Sequence, residues 1–170
     1  IKNKMNKRPY VIPQAQLERL KDLALFYPCS GEDYYDAIAV FSPYITDFWF
    51  VDKRYFTLRS ALDCPPVLRR KPDYELLDVK VEGLPLFRNR DPHIWPCIRT
   101  ETYKHIPSQR VIRIHRRRGY GCSTLRYEGR MGKLGVFFYR GDSPGGYGSG
   151  DHWLRGTKLS EIFTHLVDGG

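Results

Sequence analysis

Long apolar runs are missing from this sequence: the longest stretch without Asp, Glu, Lys or Arg is ten residues, 37–46. A helix that crosses a bilayer needs about 20, so no membrane partner is expected. Cysteine is sparse as well. Cys29, Cys64, Cys97 and Cys122 lie far apart and form no CxxC pair, unlike a structural zinc site or a disulfide-dense secreted scaffold. Free thiols in a reducing compartment are the expectation. The five histidines are isolated, with no HxH or HExxH, so the pattern names no metal ligands. A P-loop ending in Lys-Ser or Lys-Thr and a GxSxG nucleophile elbow are also lacking, which removes the usual signatures of phosphate-loop and serine-nucleophile enzymes. The basic residues 1–8 lead into Pro9-Tyr-Val-Ile-Pro13 rather than a long apolar segment. That is not the pattern of a secretory signal, and a cytoplasmic location is expected.

What is present points to one globular unit spanning 1–170. Hydrophobic residues make up 41% and aromatics 14%, too much for a disordered chain, and the length suits a single compact domain. The formal charge is +9, and it is concentrated: residues 104–133 carry nine basic side chains against Glu128 alone, a net of +8. Such a segment attracts phosphates. Within it, Arg110-Val-Ile-Arg-Ile-His115 partly alternates apolar and basic residues, as a strand with one dry face does. Arg113, Arg116, Arg117 and Arg118 are the candidate contacts to nucleic acid or another anionic substrate. Arg116–Arg118 breaks the alternation and is expected to end the strand at the Gly119-Tyr-Gly121 turn.

Upstream, Pro13 followed by Leu17 and Leu20 predicts a short opening helix. Residues 23–27 are an apolar run leading into Pro28-Cys-Ser-Gly31, the look of a buried strand entering a tight turn. Asp33 then suits the cap of a helix with Tyr35, Ile38, Ala39 and Phe41 on one face, and 48–51 is a second apolar strand closed by Asp52. Strand, turn, helix, strand is the pattern of a parallel crossover. A short helix is expected within 54–61 and a strand over 74–81. Pro85, Pro92 and Pro96 mark an irregular excursion over 83–97. Strands follow at 98–105, 110–115 and 122–127, read together as a basic, partly antiparallel insertion over about 83–133. A buried strand at 134–139, a glycine-rich loop at 140–150 and a helix striped by Leu159, Ile162, Phe163 and Leu166 close the reading. That last helix has no strand after it, so the chain is expected to lack one strand.

In an open α/β sheet, ligands bind beyond the carboxyl ends of the strands. The turn after the first strand offers backbone N–H groups to a carboxylate or phosphate, and Asp52 stands where a carboxylate accepts from ribose hydroxyls. The turn has a single glycine, Gly31, and no GxGxxG.

Leu23-Ala-Leu-Phe-Tyr-Pro-Cys-Ser-Gly31, 48–52, 134–139, and the late helix ending in Asp168-Gly-Gly170 together resemble the successive landmarks of Rossmann-like S-adenosylmethionine-dependent methyltransferases. Asp142-Ser-Pro144 resembles the acidic or amide residue and proline after the fourth strand of amino-group methyltransferases. Tyr27–Gly31 with Phe137–Pro144 is also similar to a group of uncharacterised bacterial proteins. The resemblance implies a mostly parallel Rossmann-like sheet with S-adenosylmethionine as cofactor. It places Pro28, Cys29, Ser30, Gly31 and Asp33 around that cofactor, Asp52 on its ribose, and Asp142 as the catalytic group that orients or deprotonates an acceptor. The alternative from another class is a non-catalytic module that grips nucleic acid through 104–133.

Overall fold

The computed structural model describes residues 12–56, 60–83, 97–121, 124–125, 131–139 and 157–167. In chain order its elements are α1 (Gln14–Glu18), β1 (Ala24–Pro28), α2 (Tyr35–Phe41), β2 (Asp47–Asp52), β3 (Tyr74–Glu82), β4 (Cys97–His105), β5 (Arg110–Arg118), β6 (Leu134–Phe137) and α3 (Thr157–His165). The six strands form one mixed sheet in the order β3-β4-β5-β2-β1-β6. It is an α/β arrangement in which β5, β2, β1 and β6 run parallel while β3 and β4 pair antiparallel beside them.

The burial of each strand follows its place in the sheet. All five residues of β1 are buried, as a central parallel strand covered on both faces requires. β3 is an edge strand and mostly exposed. One apolar layer, with Leu25, Tyr27, Ile38, Phe48, Phe50, Tyr103, Ile112 and Ile114, lies on the face of the sheet that α2 covers. The other holds Phe26, Trp49, Val51, Ile98, Leu134 and Ile162. The period-2 alternation of side chains along β1, β2 and β5 produces this division.

Several sequence expectations are revised by tertiary structure. The segment 97–118 is antiparallel in part, as expected, with β4 pairing antiparallel to both β3 and β5, but β5 is also the parallel neighbour of β2, in register from Asp47↔Arg113 to Asp52↔Arg118. Thr124 and Leu125 are helical rather than extended, and the described parts of 54–61 are turns rather than helix. Asp33 does not cap α2: the cap is Tyr34, which makes no side-chain capping bond. In α3, Ile162 is buried at 1% exposure while Phe163 stands 62% exposed, so the expected stripe is only partly used. After α3 the chain comes back parallel to β6, with Val167 N–H donating to the Leu134 carbonyl at 3.0 Å. The excursion over 84–96 and the loop 140–150 lie outside the described residues. No helix among the described residues is long and apolar enough to cross a membrane.

Candidate functional site

The parallel strands deliver their carboxyl ends to one edge of the sheet. β1 hands over to a turn in which Cys29 (φ 54°) and Gly31 (φ 52°) both take left-handed backbone conformations. Only Gly31 does so at no steric cost. Cys29 N–H donates to the Val51 carbonyl at 2.7 Å, which carries the β1–β2 ladder one residue past β1, and Asp33 N–H closes the turn on the Ser30 carbonyl at 2.9 Å.

This turn meets the end of β2 directly. Gly31 N–H donates to Asp52 Oδ2 at 3.0 Å, and Arg54 N–H donates to Asp52 Oδ1 at 2.8 Å. Each carboxylate oxygen keeps a further lone pair, so Asp52 both ties the two loops and retains acceptor capacity toward a ligand hydroxyl. Ser30 is 3% exposed, and its hydroxyl lies 2.6 Å from the Tyr55 hydroxyl. Burial pushes the Tyr55 phenol well above its ordinary range, with the Ser30 bond working the other way, so Tyr55 stays neutral. Asp33 is exposed and accepts from the Tyr27 hydroxyl at 3.3 Å. Pro28 ends β1 fully within the core, and the Cys29 thiol is exposed. The structure thus gathers Pro28, Cys29, Ser30, Gly31, Asp33 and Asp52 at one place. Asp142 lies outside the described residues. β5 also ends here, with Gly119 N–H donating to the Asp52 main-chain carbonyl at 3.2 Å.

The four arginines do not form one exposed basic surface. β5 continues through Arg118 instead of stopping at His115, and continued alternation sends successive side chains to opposite faces. Arg116, Arg117 and Arg118 are only 6%, 8% and 4% exposed. Arg117 donates to Thr124 Oγ1 at 2.8 Å. Arg113 stays 55% exposed but forks onto Asp47, Nε to Oδ1 at 2.8 Å and one terminal nitrogen to Oδ2 at 2.7 Å. His115 Nε2 lies 3.0 Å from the same carboxylate and its Nδ1 lies 3.0 Å from Thr100 Oγ1. Burial alone raises the Asp47 carboxyl, but the bonds from His115 and Arg113 outweigh it and bring it to about 2.

Arg116 belongs to a buried network that the sequence reading missed. Glu101, with no exposed surface, accepts on Oε1 from Arg99 Nε at 2.7 Å and from Arg116 at 2.6 Å. On Oε2 it accepts from the Tyr103 hydroxyl at 2.6 Å and Val67 N–H at 2.7 Å. The Arg99 guanidinium also donates to the Ala61 carbonyl at 2.5 Å. The signal available in sequence was the Cys97-x-Arg99-x-Glu101-x-Tyr103 alternation of β4, which places a carboxylate on the same face as Arg116 once β4 and β5 pair. Arg116 is in register with Phe50, two residues before Asp52, and its guanidinium carbon sits 5.8 Å from the centre of the Phe56 ring. It therefore lies on the α2-covered face, beneath the turn that follows Asp52.

Compared with known proteins, the chain matches no family model, no curated protein and no solved structure.

Proposed function

We propose that the edge formed by 28–33 and Asp52 binds a ribose-bearing, nucleotide-type cofactor, with S-adenosylmethionine the leading candidate, within a Rossmann-like sheet. One observation carries this reading: the 3.0 Å bond from Gly31 N–H to the Asp52 carboxylate. It puts a left-handed glycine turn and an acidic strand end side by side beyond adjacent parallel strands, where open α/β sheets take ligands. In this reading Asp52 accepts from the ribose hydroxyls, while Ser30 and Gly31 hold the turn that approaches the cofactor. The Ser30–Tyr55 bond fixes that turn against the segment after β2. S-adenosylmethionine, when bound, supplies an electrophilic methyl group for an anionic acceptor, and Asp142 is the residue assigned to orient or deprotonate that acceptor.

Calorimetric titration with S-adenosylmethionine tests the assignment. Saturable binding that Asp52→Ala abolishes, in a variant whose circular dichroism is unchanged, is the expected result. No heat at millimolar ligand would overturn it.

A further inference from the structure

The Arg99–Glu101–Arg116 cluster holds two guanidiniums on one carboxylate. No other carboxylate among the described residues bonds to Arg99 or Arg116, so the cluster carries a net charge of +1. Buried charges are ordinarily balanced, because desolvating an ion without a partner is strongly unfavourable. Arg99 and Glu101 would already make a neutral pair. Arg116 adds the excess charge, and it is the member placed toward the candidate site.

Its donors are incompletely used. Arg116 reaches Glu101, the Tyr34 hydroxyl and, at 3.4 Å, the Pro65 carbonyl, while its Nε is buried without a partner. Its guanidinium carbon lies 5.8 Å from the centre of the Phe56 ring, and the preceding residue, Tyr55, is bonded to Ser30 in the glycine turn. Arg116 therefore stands beside the same turn as Asp52 with a donor left over, and the two residues carry opposite charge.

We propose that Arg116, with Tyr34 beside it, recognises an anionic group of the bound ligand, a carboxylate or a phosphate. This rests on the reading of Asp52 as the ribose acceptor. The ligand class is then a nucleoside whose sugar hydroxyls meet Asp52 and whose anionic group completes the charge of the arginine cluster.

The experiment compares three nucleoside probes by calorimetry: adenosine, which is neutral, adenosine monophosphate, which carries a phosphate, and S-adenosylhomocysteine, which carries a carboxylate. In the native protein the probe whose phosphate or carboxylate meets Arg116 binds about tenfold or more tighter than adenosine, as expected for a charge-assisted bond, and the tighter of the two identifies the anionic group. In Arg116→Met that ratio falls to near one, while the remaining Arg99–Glu101 pair is neutral and compatible with folding. An unchanged ratio in the variant, or equal affinities in the native protein, overturns the proposal. A second measurement separates it from the cofactor reading: thermal stability in inorganic phosphate or acetate against chloride at matched ionic strength. Anion stabilisation that Arg116→Met removes, without binding of any nucleoside, sustains the anion site and sinks the cofactor reading. Absence of both effects sinks the two together.

Discussion

Replacing Glu101 by Gln removes one fully buried charge at almost no change in shape. Glu101 receives four donors, from Arg99, Arg116, Tyr103 and Val67, at 2.6 to 2.7 Å. The amide oxygen of Gln can serve one side of this array, but its NH2 would face donors on the other. Arg99 and Arg116 would be left as two like charges, 3% and 6% exposed, with no carboxylate between them. Breaking a buried ion pair by removing one partner costs about 3–5 kcal/mol, which for a domain of this length lowers the melting temperature by about 6–20 °C. Urea denaturation near neutral pH, followed by far-ultraviolet circular dichroism, measures the loss. The triple change of Arg99 and Arg116 to Met with Glu101 to Leu is expected to be milder than Glu101→Gln, since it leaves no uncompensated charge. The sign with pH agrees. Burial opposes ionisation of Glu101, but Arg116 and the bonds from Tyr103, Val67 and Arg99 hold its carboxyl below the ordinary value. Its contribution is therefore present above the usual carboxylate range and is lost as the pH falls through the depressed value. A loss under about 1 kcal/mol for Glu101→Gln, the range of a solvated surface pair, would refute this account.

Asp47, held at about 2 by His115 and Arg113 against the effect of burial, contributes about 1–2 kcal/mol after allowance for solvent screening. That stability is complete above about pH 5 and disappears between pH 4 and 2. Urea midpoints measured across this range should fall less steeply in Asp47→Asn, and an identical acid slope would remove the assignment. Gly135 falls at the register shift between β1 and β6, where an added Cβ would lie 2.9 Å from Leu23 Cβ and 3.0 Å from a Leu20 methyl. Gly135→Ala is expected to destabilise the fold by about 1–3 kcal/mol, and a neutral denaturation midpoint would show that β6 yields there.

Local pattern was enough to read β1, β2 and the presence of a helix between them, although of the face expected for α2 only Ile38 and Phe41 are buried, Tyr35 and Ala39 being exposed and Ala37 buried in their place. The apolar runs ending at Pro28 and Asp52 are bounded by turn residues, and the helix between them shows its own period. With a short crossover, parallel neighbours are the expected outcome, and the structure has them in register from Ala24↔Asp47 to Pro28↔Val51. The meeting of Gly31 with Asp52 follows from that register, so this juxtaposition was legible in the sequence. Asp33, read both as the cap of α2 and as a residue of the cofactor turn, does not cap the helix but accepts from the Tyr27 hydroxyl six residues earlier, a pairing that no local pattern announces.

The fate of the arginines was a tertiary decision. A charged triplet reads as a strand end because an isolated guanidinium belongs in water, and 110–118 taken alone contains no counter-charge. Only the pairing of β4 with β5 brings Glu101 within 2.6 Å of Arg116, and only the parallel pairing of β5 with β2 carries that arginine toward the turn after Asp52. Strand identity is written in the spacing of neighbouring residues. Strand partnership depends on energies summed over segments far apart in the chain, and here it decides whether a positive charge faces solvent or the interior.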